Sequence, residues 1–426
     1  MHQNKSEYIL AFSHSNYLLK CTGTEKAMRE IAFQFQKNNI HYIQVFSFYN
    51  SYLSSKTSTY LGINIDDQFY GIVEWKNLQG VLNDIERKRN IKLNSIQIHH
   101  LLHHKLEKVE EFLKQVNVPI YFFVHDYYTV CKSITLIDSN GKNCGASFPC
   151  EKKCSNCSYY PAASVVLNSM LKFMDNLLIK IKRVIVPSEN VKKNWGKLYP
   201  QYIEKIIVRP HLCLEGVYQR SPIINRNIRI GFAGAQLKTK GYDTWKRLCE
   251  TILKNGSPYD LFYFGTGSEK LDNVNNISVN VLKGSNSMVE ALREKEIDIL
   301  LLWNPWLETY SYVYYEACQA GCFIITNKQS GNIYEETSFY NNGIILDGET
   351  ALFNTVKDES TLRNIIQKYQ ENPTYSPEKS YPNTDISAFY EPLLEAHNEK
   401  NSVCIGYRNI VLTLIYLIKF KLRKGK

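Results

Sequence analysis

The sequence lacks any long apolar segment. A membrane-spanning helix needs about 20 consecutive apolar residues, and no run in this 426-residue chain approaches that length. The first residues, MHQNKSEYILAFS, contain an apolar run that is too short for a signal peptide and is typical of a first β-strand. We therefore expect neither a membrane-spanning nor a secreted protein, but a cytoplasmic one.

An excess of acidic residues is also absent, since 51 Lys and Arg outnumber 41 Asp and Glu. Half of the resulting net charge of +10 comes from the end of the chain, at Lys419, Lys421, Arg423, Lys424 and Lys426. These residues follow a nearly continuous apolar stretch, 410–420, which is too short to span a bilayer. Such a combination favours the surface of a membrane that contains anionic lipids. We therefore predict that a tail, 401–426, holds the protein on the inner face of the cytoplasmic membrane, the alternative being a helix that packs on the protein itself.

Disulfide bonds are not expected among the eleven cysteines of a cytoplasmic protein. Five of them lie between Cys131 and Cys157, in a segment without hydrophobic periodicity. The pair Cys154-x-x-Cys157 is typical of zinc ligands, Cys131 and Cys144 would complete a tetrahedral site, and Cys150 is left over or replaces one of them. Four thiolates leave no open position, so this zinc would be structural. A set of free thiols is the alternative.

Two other kinds of binding are disfavoured. A nucleic-acid-binding zinc module would have basic residues clustered around its cysteines, and this segment has few, Lys142, Lys152 and Lys153. The histidine cluster of His99, His100, His103 and His104 has no cysteine or acidic partner at a ligand spacing. We expect no nucleic-acid partner, and an ordinary loop and helix start at the histidines.

The length indicates two domains, because 426 residues are too many for one ordinary hydrophobic core. Predicted strands and helices alternate along both halves, which indicates an α/β protein with doubly wound sheets. We expect an amino-terminal domain at 1–212, with a cysteine-rich insertion at 131–157, and a carboxy-terminal domain at 213–384. A helix at 385–400 follows.

The most informative segment is IDILLLWNPWLETYSYVYYEACQAGCFIIT, 297–326. Its apolar start predicts a buried parallel strand, Ser311 is a good N-cap for a helix that ends at Gly321, and a second strand follows. Glu308 therefore lies at the carboxyl end of a strand, where such sheets bind ligands, and Glu316 lies in the helix. Helix-start N–H groups suit a phosphate, and carboxylates suit sugar hydroxyls, which together predict a nucleotide-sugar site. The candidate residues at the helix start are Thr309, Ser311 and Tyr312.

Other strand ends supply further candidates. Backbone can approach a ligand closely at glycines, and the candidates are Gly23, Gly234, Gly265 and Gly267. Lys240 stands before a glycine at a helix start, where its point charge can neutralise a diphosphate. His125 follows a buried strand and can donate to a charge that develops between the domains. Ordinary turns and a capping histidine are the alternatives.

Glu308 and Glu316, preceded by Pro305 and followed by Gly321, closely resemble the E-x7-E signature of retaining GT-B glycosyltransferases of the large group-1 family, family 4. In that family the first glutamate contacts the donor sugar and the second the nucleotide ribose, which implies these roles for Glu308 and Glu316. The resemblance also implies a GT-B fold, in which two Rossmann-like doubly wound domains face a central cleft. The acceptor would then bind on the amino-terminal side, and the helix at 385–400 would cross back to that domain.

The resemblance extends to other loops. The family has a basic pair in the loop that contains Lys240, but Ala235 stands at the usual arginine position, with Lys238 as a candidate replacement. The stretch HDYY, 125–128, followed by Cys131, Leu136-Ile-Asp138 and Gly141, is similar to a subgroup that builds bacterial surface polysaccharides. That similarity implies that His125 approaches the donor sugar. The resemblance to the family as a whole, which has a glycine-bearing loop after the first strand, implies that the Gly23 loop faces the diphosphate.

The activity that the resemblance implies is transfer of a hexose-type sugar, with retention of configuration, from a nucleotide diphosphate to an acceptor hydroxyl. The acceptor would be a bacterial cell-surface glycan precursor of the lipid-linked oligosaccharide, capsule or O-antigen type. No side chain is well placed as a covalent nucleophile, and no paired aspartates call for a divalent metal, so we expect no catalytic cofactor. The alternative is a catalytically silent GT-B protein that binds a nucleotide-sugar or scaffolds a partner enzyme.

Overall fold

The computed structural model describes residues 6–20, 22–48, 58–279, 287–393 and 409–424. The first half contains β1 (Glu7–Ser13), α1 (Gly23–Lys37), β2 (His41–Ser47), β3 (Tyr60–Ile65), β4 (Gln68–Glu74), α2 (Leu78–Arg89), β5 (Lys92–Ile98), α3 (Leu106–Gln115), β6 (Ile120–Phe123), α4 (Glu151–Cys154), α5 (Tyr160–Lys180), β7 (Arg183–Val186), α6 (Glu189–Leu198) and β8 (Ile206–Val208). The eight strands form one sheet in the order β4-β3-β2-β1-β5-β6-β7-β8. All neighbours from β2 to β8 in that order are parallel.

The second half contains β9 (Leu212–Glu215), β10 (Ile228–Ala233), α7 (Tyr242–Lys254), β11 (Tyr259–Phe264), β12 (Val274–Ile277), α8 (Ser287–Glu294), β13 (Ile299–Leu302), α9 (Tyr312–Gln319), β14 (Phe323–Asn327), α10 (Asn332–Tyr340), β15 (Gly343–Leu346), α11 (Glu349–Lys357), α12 (Glu359–Glu371), β16 (Lys379–Pro382) and α13 (Ile410–Lys424). Six of these strands form a parallel sheet in the order β12-β11-β10-β13-β14-β15. The remaining pair, β9 and β16, is antiparallel. Apolar residues are buried on both faces of both large sheets, so the predicted doubly wound α/β architecture is confirmed.

The edge of the first sheet differs from the prediction. β3 runs antiparallel to both β2 and β4, and the sequence analysis did not identify it as a strand. Asp66 and Asp67, between β3 and β4, have φ angles of 47° and 63°. Two consecutive left-handed residues are typical of the tight turn of a β-hairpin, which folds β4 back onto β3.

The predicted helix at 385–400 is wrong for the part that the structure describes. Residues 385–393 contain no helix, and Pro392 opposes one, because proline cannot donate to a helical hydrogen bond and restricts the residue before it. The segment nevertheless returns to the first sheet, where Phe389 is fully buried and the backbone carbonyl of Asp385 accepts a hydrogen bond from Arg209. Residues 394–400 lie outside the described part.

The described part of the tail, 409–424, packs on the first sheet, as its alternative interpretation anticipated. The Asn409 N–H donates to the Ile72 carbonyl, and the Ile72 N–H donates to Thr413 Oγ1. The Tyr416 ring contacts aromatic rings, including that of Phe69. The outer face of α13 is exposed and apolar at Ile410, Val411, Leu414, Ile415 and Ile418. Within the described ranges, no helix is long and apolar enough to cross a membrane.

Candidate functional site

The site lies where the carboxyl ends of the parallel strands of the two large sheets meet. Two hydrogen bonds join the sheets there: Ser188 Oγ donates to the Thr309 carbonyl over 2.9 Å, and Thr309 Oγ1 donates to the His125 carbonyl over 2.6 Å. Thr309 belongs to the loop after β13, and His125 follows β6. The loop predicted to hold the donor is thus in direct contact with the first sheet.

The βαβ element predicted from the sequence is confirmed. β13 ends at Leu302, and Ser311 caps α9 by accepting a hydrogen bond from the Tyr314 N–H. Gly321 has a φ angle of 70°, which suits glycine at the end of a helix. Glu308 therefore projects from the loop and Glu316 from α9, about one turn after the cap.

Glu308 is 4 % exposed and lies against cationic and amide groups. Lys240 Nζ is 2.5 Å from Glu308 Oε2, and Asn304 Nδ2 donates to the same oxygen. The backbone of Glu308 is fixed as well, since its carbonyl accepts from the Asn332 N–H over 2.8 Å. A Cβ at Gly331 would come within 2.3 Å of the Glu308 nitrogen, so only glycine allows this packing. The carboxylate is therefore held in one place with its charge compensated.

Lys240 reaches Glu308 from the loop after β10. A short 3-10 turn, Lys238–Lys240, is followed by Gly241 with a φ angle of 82°. A Cβ at Gly241 would lie 2.3 Å from the Trp303 carbonyl oxygen, so the glycine lets this loop pack against the end of β13. The prediction of Lys240 as a cation beside the donor site stays a prediction, but its position next to Glu308 is consistent with it.

Glu316 is also buried and also faces a lysine. Lys26 Nζ, from the first turn of α1 in the first half, is 3.6 Å from Glu316 Oε1 and 3.9 Å from the centre of the Tyr312 ring. Burial raises the pKa of Glu316, and Lys26 opposes that shift. The Tyr312 hydroxyl in turn donates to Glu30, on α1, over 3.0 Å. Helices from both halves thus converge on this carboxylate.

Lys26 was missed by the sequence analysis. At the start of α1 only Gly23 was a candidate, and a Cβ added at Gly23 would meet no atom within 4 Å. Its position could have identified Lys26 as a candidate site residue, because Lys26 lies in the first turn of a helix that follows a strand, where a side chain can point into the crevice.

The predicted glycines of the second half lie close together. Gly234 has a φ angle of 124°, and a Cβ at Gly265 would lie 2.6 Å from the Gly234 carbonyl oxygen. The Tyr263 hydroxyl joins both loops, since it donates to the Gly234 carbonyl and accepts from the Gly267 N–H. Gly234, Gly265 and Gly267 therefore lie close together, in the two neighbouring loops that follow β10 and β11. Their contact with a nucleotide stays a prediction.

One predicted phosphate donor already has a protein partner. The Ser311 N–H donates to Asn332 Oδ1 over 3.2 Å, and Ser311 Oγ accepts from the Tyr314 N–H. Thr309 is engaged with the first sheet through its carbonyl and hydroxyl. Thr309 and Ser311 therefore position the start of α9, and the predicted contact of this loop with a phosphate stays a prediction.

His125 lies in a row of histidines that follow β5, β6 and β8. The His99 and His125 rings approach within 3.0 Å between nitrogens, and the His211 ring stacks 6.0 Å from that of His125. Burial lowers the pKa of His125 to about 4. The ring is therefore neutral at pH 7 and can act as a hydrogen-bond donor to an oxygen, but not as a fixed cation.

Acid should destabilise the fold through His104, which is fully buried and bonds to the Ser13 carbonyl. Burial lowers the pKa of His104 to about 4, so between pH 6.5 and 4 the unfolded chain binds the proton more tightly than the folded one. Stability should fall as pH falls through this window. We expect the slope of unfolding free energy against pH to be smaller in His104→Asn than in the wild type by about 1.4 kcal/mol per pH unit. Urea unfolding at several pH values measures it, and equal slopes would contradict the assignment.

The cysteine-rich insertion is next to this site. Its Asn143 Nδ2 donates to the Pro305 carbonyl, in the loop before Glu308, over 3.4 Å. Cys131, Cys144, Cys154 and Cys157 line one cavity of about 270 Å³. Burial raises the pKa of Cys131, and it raises that of Cys144 to about 11, with Asp138 and the other thiols adding to the shift. Across the described residues, no three His, Cys, Asp or Glu side chains are grouped closely enough to hold a metal ion.

Among known proteins, this chain is similar to solved structures in fold, not in sequence. No model of a known protein family matches it, and no curated protein sequence does. Solved structures similar to it include a sucrose-phosphate synthase from Thermosynechococcus elongatus, with a TM-score of 0.55 and 12 % identity over 86 % of this chain and 93 % of that one.

Two further solved structures have a fold similar to that of this chain. A glycosyltransferase from Rickettsia africae has a TM-score of 0.51 and 13 % identity over 87 % of this chain and 92 % of that one. A variant of TarM from S. aureus has a TM-score of 0.50 and 10 % identity over 86 % of this chain and 96 % of that one. The chain therefore has the fold expected from its sequence, GT-B, with two Rossmann-like sheets whose carboxyl ends face a common cleft.

Proposed function

We propose that the protein is a retaining glycosyltransferase that moves a hexose-type sugar from a nucleotide diphosphate to a hydroxyl of a bacterial cell-surface glycan precursor. The acceptor class is a lipid-linked oligosaccharide or a capsule or O-antigen precursor. One observation carries the proposal: Glu308 and Glu316, from one βαβ element, are both buried where the two sheets meet, and each faces a lysine.

The donor would replace the lysines as the partner of each carboxylate. Glu316 would accept hydrogen bonds from the ribose and Glu308 from the sugar, because carboxylates are strong acceptors for hydroxyl donors. Lys26 and Lys240 would then turn to the diphosphate, because each already lies beside one of the two carboxylates that would hold the donor. The S. aureus TarM variant was solved with UDP and α-GlcNAc-glycerol, and a pneumococcal O-GlcNAc transferase of similar fold was solved with UDP and GlcNAc. These complexes support a nucleotide-sugar as the ligand.

The chemistry would need no covalent intermediate on the protein. The bond from the anomeric carbon to the phosphate oxygen breaks, the acceptor oxygen bonds to that carbon from the same face, and the hydroxyl proton passes to the departing phosphate oxygen. Lys240 and the start of α9 would stabilise the negative charge that develops on the diphosphate. The neutral His125 ring would donate a hydrogen bond near the sugar, and the contact between the two halves would position the reactants.

Release of nucleoside diphosphate tests the proposal. A thermal-shift screen against a panel of nucleotide-sugars selects the donor, and the purified protein is then incubated with it and a lipid-linked glycan extract. We expect acceptor-dependent release and a glycosylated product with the anomeric configuration of the donor. A donor that raises the melting temperature of the protein but gives no product would favour the catalytically silent binding protein. Ala235, at the usual arginine position, is the sequence feature that favours this alternative.

The proposal includes attachment to the inner face of the cytoplasmic membrane through α13. Because Thr413 and Tyr416 dock this helix on the first half, its exposed apolar face is presented outward from the protein. An apolar helix face that ends in basic residues binds anionic lipid surfaces through both burial and charge. Docking on the protein and binding to a bilayer are therefore compatible, on opposite faces of one helix.

Replacing Leu414 and Ile418 together by glutamine should weaken binding to vesicles that contain anionic lipid by at least about 10-fold, because each buried aliphatic side chain contributes roughly 1.5–3 kcal/mol. Vesicle co-sedimentation measures the effect. Phe339→Gln is the matched control, since Phe339 is 80 % exposed on α10 and its loss should leave vesicle binding unchanged. Wild-type protein that stays in the supernatant, or a double variant that sediments like wild type, would contradict the membrane role.

A further inference from the structure

The five cysteines of the insertion are not equivalent in the structure. Four of them, Cys131, Cys144, Cys154 and Cys157, line the same cavity of about 270 Å³. Cys150 is exposed and is not among the residues that line it. The sequence alone left open which four cysteines belong together, and the cavity separates the set of four from the fifth.

The insertion has little else to hold its shape. Among residues 131–160, the buried hydrophobic side chains are those of Leu136 and Ile137. Burial on that scale cannot offset the conformational entropy of ordering some thirty residues, since each ordered residue costs about 1–2 kcal/mol of backbone entropy. Segments of this kind are commonly fixed by a disulfide or a metal ion.

Short turns bring the four thiols to the cavity. A hairpin closes through the Ile137–Asn143 bridge and delivers Cys144, with Asp138 Oδ1 accepting two backbone hydrogen bonds in its turn. A second turn, closed by the Cys157 N–H and the Cys154 carbonyl, delivers the Cys154-x-x-Cys157 pair. The Ser158 N–H donates to Ser139 Oγ over 3.1 Å and joins the two turns.

We propose that Cys131, Cys144, Cys154 and Cys157 bind one structural Zn²⁺ ion as thiolates. The Cys-x-x-Cys turn supplies two ligands of a tetrahedral site and the hairpin side supplies the others, which is the usual composition of a closed zinc site. The Ser133 N–H already donates to Cys131 Sγ over 3.4 Å, an outer hydrogen bond of the kind that orients a metal ligand. The thiols of the described structure are not grouped at ligand distance, so the proposal requires that binding draw them together in the cavity that they share.

The ion would fix a wall of the cleft and take no part in chemistry. Asn143, beside the ligand Cys144, contacts the loop that precedes Glu308. The same hairpin, with Tyr159, also borders a second cavity of about 420 Å³, whose opposite side is formed by Lys238, Trp303 and Pro305. Zinc would therefore order the insertion against the second half of the molecule, next to the proposed donor site.

Metal content tests the proposal. The full-length protein is purified under reducing conditions, supplied with Zn²⁺, freed of excess metal and analysed by elemental mass spectrometry. We expect about one zinc per chain in the wild type and in Cys150→Ser, and at least roughly a fivefold lower content in Cys144→Ser and Cys157→Ser. Replacement by Co²⁺ should give thiolate-to-metal absorption in the same two proteins that keep zinc.

A second measurement uses wild-type protein and does not depend on the folding of the variants. Thiol labelling with and without a zinc chelator should show four cysteines that become reactive only when the metal is removed, located by peptide mass spectrometry at the four cavity positions. Wild-type protein without zinc, whether its thiols are free or paired as disulfides, would overturn the proposal. Equal zinc loss in Cys150→Ser and Cys144→Ser would overturn the choice of ligands.

Discussion

Replacing Glu308 by glutamine should lower kcat for sugar transfer by roughly 100- to 1,000-fold, the range found when one preorganised electrostatic group is removed from an active site. Glutamine keeps the size of the side chain but removes the negative charge that is held between Lys240 and Asn304. The fold should survive, because Lys240 is 38 % exposed and can be solvated when its partner is neutral. Steady-state release of nucleoside diphosphate measures the effect.

The matched control is Glu296→Gln. Glu296 precedes the same strand, β13, at its amino end, and pairs with Arg229 over 2.8 Å on the surface. Surface ion pairs contribute little, so kcat and the melting temperature should both stay close to wild type. Equal activity of Glu308→Gln and wild type would show that Glu308 does not act on the donor sugar.

Lys240→Met should lower kcat/KM by about 100-fold or more, because the variant removes one of the two lysines that are proposed to face the leaving diphosphate. It also leaves the buried Glu308 carboxylate without its closest positive partner, which is costly for a desolvated charge. We therefore expect both a loss of activity and a lower melting temperature. Enzyme assays and differential scanning fluorimetry on the same preparation separate the two effects.

Lys238→Met is the control for that prediction, since Lys238 lies in the same short turn but no ion pair joins it to Glu308 among the described contacts. Its loss should cost less than about 10-fold in kcat/KM if Lys240 is the main phosphate cation. A larger loss in Lys238→Met than in Lys240→Met would make Lys238 the main phosphate cation and contradict the assignment of Lys240.

The central βαβ element could be predicted from the sequence because the residues that determine its strand and helix boundaries act locally. The apolar run before Asn304, the N-cap Ser311 and the left-handed Gly321 each act within a few residues, and each has the predicted conformation. The position of Glu308 at a strand end follows from that geometry alone. The GT-B fold followed from the alternation of elements together with the resemblance at Glu308 and Glu316.

Contacts between distant parts of the chain could not be predicted in this way. Lys26 faces Glu316 only because α1 and α9, which are far apart in sequence, meet across the cleft. Likewise, Tyr416 packs against the first sheet through aromatic rings that no local pattern connects to the tail. The helix expected at 385–400 is wrong because Phe389 is buried against the first sheet in a turn, which the Phe389 N–H closes on the Ile386 carbonyl. Amphipathic spacing does not reveal such tertiary packing.

The decisive experiment is a crystal structure of the slow Glu308→Gln variant bound to its selected nucleotide-sugar. We expect the Glu316 carboxylate to accept hydrogen bonds from the ribose, the sugar to lie against residue 308, and Lys26 and Lys240 to face the diphosphate. A nucleotide bound outside the cleft, or a bound nucleotide with Glu316 still paired to Lys26, would contradict this expectation.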